Sequence, residues 1–418
     1  MYRVLIFSAL VAVTLGGKSP HYDKVLEMER SSPPGARYST DVFEDAKLDI
    51  GLLEKYGYPA ERHSVITSDG YVLEMQRIPH GKGLDPNVVR TPLLIMHGLL
   101  SSSADFLVLG TGRALAYILA DAGYDVWLGN ARGNYYSRRH QTLDPDDGIA
   151  FWQFSWDQIG NLDLPAMIDH ILATTGQEKL HYVGHSQGGT SFLVMASLRP
   201  EYNDKIISFQ GLAPASFFNH HENPYTILFA PFARLIEVSA HYLGFGELLG
   251  NRTPISWFAA QFCADNSTFQ DLCISLAING ERVEYYNTTL LPLFLGHAPG
   301  GAALRQLRHY AQSINTKTFR RYDYGSSIAN IIYYGRATPA DYDLSRITAP
   351  TYLHYTMRDN LVNYQDIYLL ANSVGNLRGV YRAARSSFGH LDYIWGNDAK
   401  EQVYDTLIVT LRLAENLN

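Results

Sequence analysis

The sequence predicts an α/β protein, with a mostly parallel central sheet, helices on both faces and a mainly helical insertion late in the chain. Three observations carry this. First, short apolar runs that read as strands, Pro92 to Met96, Asp125 to Leu128, Leu180 to Val183, Ile206 to Leu212 and Thr351 to Tyr355, alternate with helix-compatible stretches. Such alternation is the pattern of repeated crossover connections between parallel strands. Second, the alternation breaks down between Ala215 and about Asp343, where apolar, aromatic-rich and glycine-punctuated segments take over, and it resumes afterwards. Third, Gly184-His185-Ser186-Gln187-Gly188 stands between a strand-like run and the helix-compatible run Ser191 to Leu198. In that context G-x-S-x-G places a serine on a sharp strand-to-helix turn.

Taken from the N-terminus, Arg3, the apolar run Val4 to Leu15, and Gly16-Gly17 read as an export signal over residues 1–17. The apolar run is too short to span a bilayer, so the mature chain is predicted to be soluble, exported and without a transmembrane anchor. Residues 18–45 read as a loose extension containing the turn-rich linker Ser31-Ser32-Pro33-Pro34-Gly35. Ile50, Leu52, Leu53 and Tyr56 predict a short helix stopped by Gly57 and Pro59. Glu61 to Thr67 and Tyr71 to Ile78 predict a hairpin around Ser68-Asp69-Gly70. The strand at 92–96 ends at His97-Gly98, a helix over Arg113 to Ala122 ends at Gly123, and a helix near Leu162 to Thr174 leads to the strand before Ser186. The α/β core is thus expected over 46–214 and 344–418. Residues 215–343 are expected to form a cap over the site, with short helices at Tyr225 to Phe232, Leu235 to Leu243 and Ile274 to Ile278.

Composition narrows the function. With 46% hydrophobic and 18% charged residues the chain is globular, and a net charge of -7 leaves no basic footprint for nucleic acid. Two cysteines, Cys263 and Cys273, in an exported chain favour a disulfide closing a short loop, worth about 2–3 kcal/mol by loop entropy. Asn251, Asn266 and Asn287 begin N-x-[ST] sequons, candidate glycan sites. Asn266 and Asn287 are the better candidates, because Pro254 follows the first sequon closely.

A serine hydroxyl is a weak nucleophile and needs a base. After such an elbow the partners follow in the order acid, then histidine. His390, in Ser387-Phe388-Gly389-His390-Leu391-Asp392, lies after the last predicted strand, where a loop reaches back over Ser186. His185 is assigned a packing role pointing elsewhere, and His97 a turn-shaping one. Asp359, on the loop after the strand at 351–355, is the candidate acid, ahead of Asp366 on the following helix and Asp392, which is too close along the chain to orient His390. The oxyanion donors are expected to be the backbone N–H groups of Gln187 and Leu99, the latter in His97-Gly98-Leu99-Leu100.

Longer runs carry a resemblance. They include Thr67-Ser68-Asp69-Gly70-Tyr71-Val72-Leu73-Glu74, Asp121-Ala122-Gly123-Tyr124-Asp125-Val126-Trp127-Leu128-Gly129-Asn130, Arg132-Gly133-Asn134, Asp163-Leu164-Pro165-Ala166 and His390-Leu391-Asp392-Tyr393-Ile394-Trp395. In these the chain resembles the animal acid lipases, the α/β-hydrolase group containing the gastric and lysosomal acid lipases. The resemblance runs from about residue 48 to 405. It implies the triad Ser186, Asp359 and His390, oxyanion donors at Leu99 and Gln187, a helical cap with a mobile lid, and a cysteine pair like Cys263–Cys273. It also implies no metal or organic cofactor, and a secreted or lysosomal enzyme acting on neutral lipid esters at a lipid–water interface. Three departures stand out: a poor match over 216–262, Thr356-Met357 where the family commonly has glycines, and Gly189 where it usually has threonine. The alternatives are a catalytically silent lipid-binding or storage protein on the same scaffold, and another acyl hydrolase such as a thioesterase or peptidase. The sequence is silent on oligomeric state.

Overall fold

The computed structural model describes residues 51–250, 283–287 and 290–416. The predicted signal, the extension, Asn251, Asn266, Cys263, Cys273 and the helix at 274–278 lie outside the described residues. Asn287 is half-buried.

The strands are β1 Glu61–Ile66, β2 Tyr71–Ile78, β3 Pro92–Met96, β4 Asp125–Gly129, β5 Leu180–His185, β6 Ile206–Leu212, β7 Thr351–Tyr355 and β8 Leu377–Arg382. With the two-residue Arg139–His140 they form a nine-stranded sheet in the order β1-β2-β4-β3-β5-β6-β7-β8. β1–β2 and β2–β4 pair antiparallel, and the pairs from β4 to β8 are parallel. Every residue of β3, β4 and β5 is buried, which explains why apolar residues fill β3 and dominate β4 and β5. β8 corrects the expectation that the sheet ends at 351–355. Its Leu-Arg-Gly-Val-Tyr-Arg is half-exposed edge strand, too charged to read as buried.

The helices are α1 Gly51–Lys55, α2 Leu115–Asp121, α3 Leu164–Thr175, α4 Gln187–Leu198, α5 Pro224–Phe229, α6 Ala233–Tyr242, α7 Leu291–His297, α8 Leu304–Thr316, α9 Ser327–Tyr334, α10 Tyr364–Ser373, α11 Asp392–Trp395 and α12 Asp405–Glu415. α3 packs on β1 and β3, α4 on β5 and α12 on β6. Among the described residues no helix is long and apolar enough to cross a membrane.

A buried charge cluster joins the hairpin to the layer beneath the serine turn. Arg132 is fully buried and pairs with Asp163 at 2.6 Å and with Asp69 at 2.6 Å. Its guanidinium also sits 4.0 Å from the centre of the Tyr71 ring. Asp163 closes a π-turn, Ile159–Asp163, that leads into α3. Gly160 in that turn lies so near α4 that a Cβ would come within 2.6 Å of the Ser191 carbonyl. Burial pushes the Asp163 carboxyl up, against the pull of Arg132. Removing one member of a buried ion pair strands the other charge. Arg132→Met is therefore expected to cost about 3–5 kcal/mol in urea unfolding at neutral pH. The loss should shrink as the pH falls, because without the cation Asp163 titrates higher still and protonation relieves the stranded charge.

Candidate active site

Ser186 follows β5 directly and precedes α4. Its backbone is at φ 52, ψ -115, a strained conformation for a non-glycine residue. The turn is held by Ser186 N–H donating to the Leu212 carbonyl at 2.9 Å, and by its own carbonyl accepting from Gly189 and Thr190 at 3.0 and 3.1 Å. The glycines are sterically required. A Cβ on Gly184 would stand 2.6 Å from the Gly188 carbonyl carbon and from the Gly189 nitrogen, and one on Gly188 would run into the Met96 carbonyl. Gly189, the departure from the usual threonine, lies against Pro214.

His390 and Asp359 meet as the chain order predicted. His390 Nδ1 lies 2.7 Å from Asp359 Oδ2, and both side chains are buried. Asp359 Oδ1 accepts from the Leu361 and Val362 N–H groups, each at 2.8 Å. These three bonds fix the carboxylate in one orientation. Thr356, where the family commonly has glycine, donates its hydroxyl to the Phe388 carbonyl. The acid loop and the histidine loop are therefore tied at two points. Ser186 and His390 line one cavity of about 540 Å³, together with Gly98, Leu99 and Leu100. Its wall is mostly apolar, with Phe218, Leu295, Leu307, Ile314 and Trp395 among the contributors.

The loop after β3 approaches the serine closely. A Cβ on Gly98 would lie 3.2 Å from Ser186 Cβ and 3.7 Å from its Oγ. Leu100 takes φ 60, and its carbonyl accepts from Gly300 N–H at 2.6 Å. His97 shapes this turn, as its sequence position indicated. Its Nε2 accepts from Ala131 N–H at 3.1 Å, so Nδ1 carries the proton donated to the Gly98 carbonyl at 2.8 Å. Burial depresses its pKa to about 4, which keeps it neutral. Gln187 opens α4, so its N–H has no acceptor within its own helix.

One expectation is corrected. His185 does not point away from the site: it lines the cavity, and its Nε2 donates to the His390 carbonyl at 3.1 Å. The two rings are 4.8 Å apart. Burial, and then the neighbouring His390, push the His185 pKa well down, so it acts as a neutral prop for the loop of its neighbour. The rival acids have other work. Asp366 accepts from the Asn219 and His220 backbone N–H groups and from the His220 ring. Asp392 accepts from Gly389 N–H at 2.6 Å and pairs with Arg385 at 2.9 Å.

A second serine–histidine–carboxylate set shows that residue types alone do not make a site. His181 lies 2.8 Å from Ser208 and 3.3 Å from Glu415. Ser208 and His181 are completely buried and sit mid-strand, so this set ties α12 to the sheet.

A strand–turn–helix serine at the carboxyl edge of a mostly parallel sheet defines an α/β hydrolase. The comparisons agree. A sequence profile of the alpha/beta hydrolase fold matches residues 91–397, and one of the partial alpha/beta-hydrolase lipase region matches residues 51–110. The chain is 41% identical over 390 residues to Lipase 1 of Drosophila melanogaster, covering 92% of this chain and 84% of that protein. It is 35% identical over 364 residues to gastric triacylglycerol lipase of Homo sapiens, covering 85% and 89% respectively. A solved structure from Sulfolobus solfataricus has TM-score 0.55 at 17% identity, over 85% of this chain and 94% of that one, and shows the fold alone. The chain belongs to the animal acid lipase family and is a carboxylic ester hydrolase.

Asp359 bonds His390 on Nδ1; with His390 as the base of ester hydrolysis, as proposed below, Asp359→Asn should lower kcat by about 10⁴-fold, by the wrong-tautomer effect. KM and the unfolding midpoint should change little. Steady-state kinetics with a soluble ester checks this.

Proposed function

We propose that the chain is an exported lipase that hydrolyses neutral lipid esters through an acyl-enzyme, with Ser186, His390 and Asp359 as triad and the Leu99 and Gln187 N–H groups as oxyanion donors. Ser186 Oγ attacks the acyl carbonyl while His390 takes its proton. The carbonyl oxygen gains charge in the tetrahedral intermediate and is met by the two N–H groups. The protonated His390, stabilised by Asp359, passes the proton to the leaving alcohol. Water, deprotonated by the same histidine, then releases the acid and restores Ser186.

A single observation carries the choice of lipid over small polar esters. Three helices in the 215–343 segment, read here as the cap, are turned inside out. In α6 the buried residue is Glu237, 2% exposed and held by Arg308, Arg305 and Tyr322. Leu235, Ile236, Val238 and Tyr242 of the same helix face solvent. In α9 the buried residue is Asn330, which bonds Asp323, the Ala337 carbonyl and Tyr324 N–H, while Ile332 is 75% exposed and Ile328 is 74% exposed. α5 buries nothing, exposes Tyr225, Leu228 and Phe229, and contributes Thr226 to the cavity wall. Arg234 of α6 lies against Gly325, two residues before α9, so these surfaces adjoin. Apolar surface of this extent on a folded chain marks an interaction face. Amphipathic helices that bury such faces at lipid interfaces are well suited to a substrate presented as an aggregate. The apolar cavity below then receives the acyl chain.

Ser186→Ala is expected to abolish hydrolysis of both emulsified triolein and a short soluble ester. The double variant Ile328→Asp/Ile332→Asp should lower triolein turnover by about tenfold or more through weakened surface binding, while leaving the soluble ester within about twofold. Equal loss on both substrates would remove the lipid-surface reading.

A further inference from the structure

Asp105 is a carboxyl group in the cavity wall that takes no part in the steps above. It is 2% exposed and lies on the single turn Ser103–Phe106 after the oxyanion loop. One of its oxygens accepts from the Ser101 hydroxyl, and the other from Trp395 Nε1 at 3.3 Å. Ser101 stands two residues after Leu99, and Trp395 stands five residues after His390, at the end of α11. All three line the cavity that holds Ser186. Trp395 is itself fixed, stacked on Phe294 of α7 with centroids 5.1 Å apart and planes at 7°.

We propose that Asp105 is a positioning residue for the ester hydrolysis: it ties the loop that offers the Leu99 N–H to the segment that carries His390, and its charge state sets how readily an oxyanion forms between them. This rests on the reading of Ser186 as nucleophile.

The chemistry follows from the donors. Trp395 Nε1 only donates, so Asp105 Oδ1 must stay an acceptor in either state. When Asp105 is ionised, the Ser101 hydroxyl donates to Oδ2, and a full negative charge stands in the cavity wall where the oxyanion is to build. When Asp105 is protonated, Oδ2–H donates to Ser101, and the Ser101 proton is released toward the cavity. Burial outweighs the hydrogen bonds from Ser101, Trp395 and the Ser102 backbone and holds the carboxyl at about 6. The other titratable groups on the packed elements are engaged elsewhere. His97 is held by Ala131 and Gly98, His297 on α7 meets Tyr136 Oη at 3.2 Å, and Asp392 pairs with Arg385. Burial keeps the Tyr393 phenol protonated, His390 bonds Asp359, and His185 bonds the His390 carbonyl. The need for His390 as a proton-free base is common to wild type and Asp105→Asn, so relative to that variant the wild type should slow as pH rises through the Asp105 titration.

The test is kcat/KM against pH for the full-length protein with a short, soluble ester below its aggregation limit. Released acid is measured at each pH. Relative to Asp105→Asn, the wild type should show a descending limb centred near 6, with a loss of roughly tenfold, the order of a unit charge acting across a small cavity. The effect should sit in kcat more than in KM. Asp105→Asn keeps the shape, donates N–H to Ser101 and accepts from Trp395, so it should lack the limb and hold the acid-side rate. Ser101→Ala removes a donor that favours the ionised form, so its limb should move to higher pH. A limb that persists unchanged in Asp105→Asn, or stays in place in Ser101→Ala, overturns the role of Asp105 alone. A wild type that turns over no ester at any pH overturns the hydrolase reading, and this inference with it.

Discussion

The structure around the site depends on one steric constraint, the close passage of β5 and α4 on either side of Ser186. The serine sits at φ 52 because the chain must reverse between a fully buried strand and a helix packed onto it. That reversal is possible only where the positions two before and two after carry no side chain: Gly188 presses on the end of β3, and Gly184 presses on Gly188. The strain is balanced by the surrounding frame, in which the Ser186 N–H and carbonyl are both bonded. The cost of such a backbone, on the order of 1–3 kcal/mol, is tolerable because the sheet around it over-determines the geometry.

Everything else in the site reaches toward that point from loops at the carboxyl ends of other strands. The loop after β3 brings Gly98 and Leu99, the loop after β7 brings Asp359, and the segment after β8 brings His390. These loops are fastened to one another as well as to the sheet. Thr356 holds Phe388, Asp359 holds His390, His185 holds the His390 carbonyl and Asp105 joins Ser101 to Trp395. Deeper down, Arg132 links the β1–β2 turn through Asp69 to the π-turn through Asp163, and that π-turn lies directly on α4. The chemistry is thus positioned by hydrogen bonds between loops and by charge pairing beneath them.

Much of this was legible in the sequence, for physical reasons that also explain the gaps. The parallel strands are buried on both faces, so β3, β5, β6 and β7 appear as mainly apolar runs, broken by a few buried polar residues such as His181, Ser208 and His354, with nearly correct limits. The strained turn at Ser186 was legible because it admits only glycine nearby, and the His390–Asp359 pair because connectivity fixes which loops lie together. β8 was missed because an edge strand need not be apolar. His185 was misjudged because, where the strand ends and turns, position along the chain does not fix which way a side chain faces. Asp105 gave no signal at all: its meaning comes from Trp395, which is 290 positions away along the chain. Two of the inverted helices, near α5 and α6, were recognised as apolar segments and α9 was not, and sequence alone could not reveal that the polar residues Glu237 and Asn330 are the buried ones.

The central claim is spatial: one hydroxyl, one imidazole and two backbone N–H groups converge on a single acyl carbon. The most direct measurement is a crystal structure after reaction with an alkyl phosphonate ester, whose tetrahedral phosphorus mimics the intermediate. The expected adduct has a covalent bond from phosphorus to Ser186 Oγ, the phosphoryl oxygen within hydrogen-bond reach of the Leu99 and Gln187 nitrogens, His390 Nε2 facing the leaving-group oxygen, and the alkyl chain in the apolar cavity. An adduct on any other residue, or one on Ser186 with its oxygen turned away from both N–H groups, would contradict it.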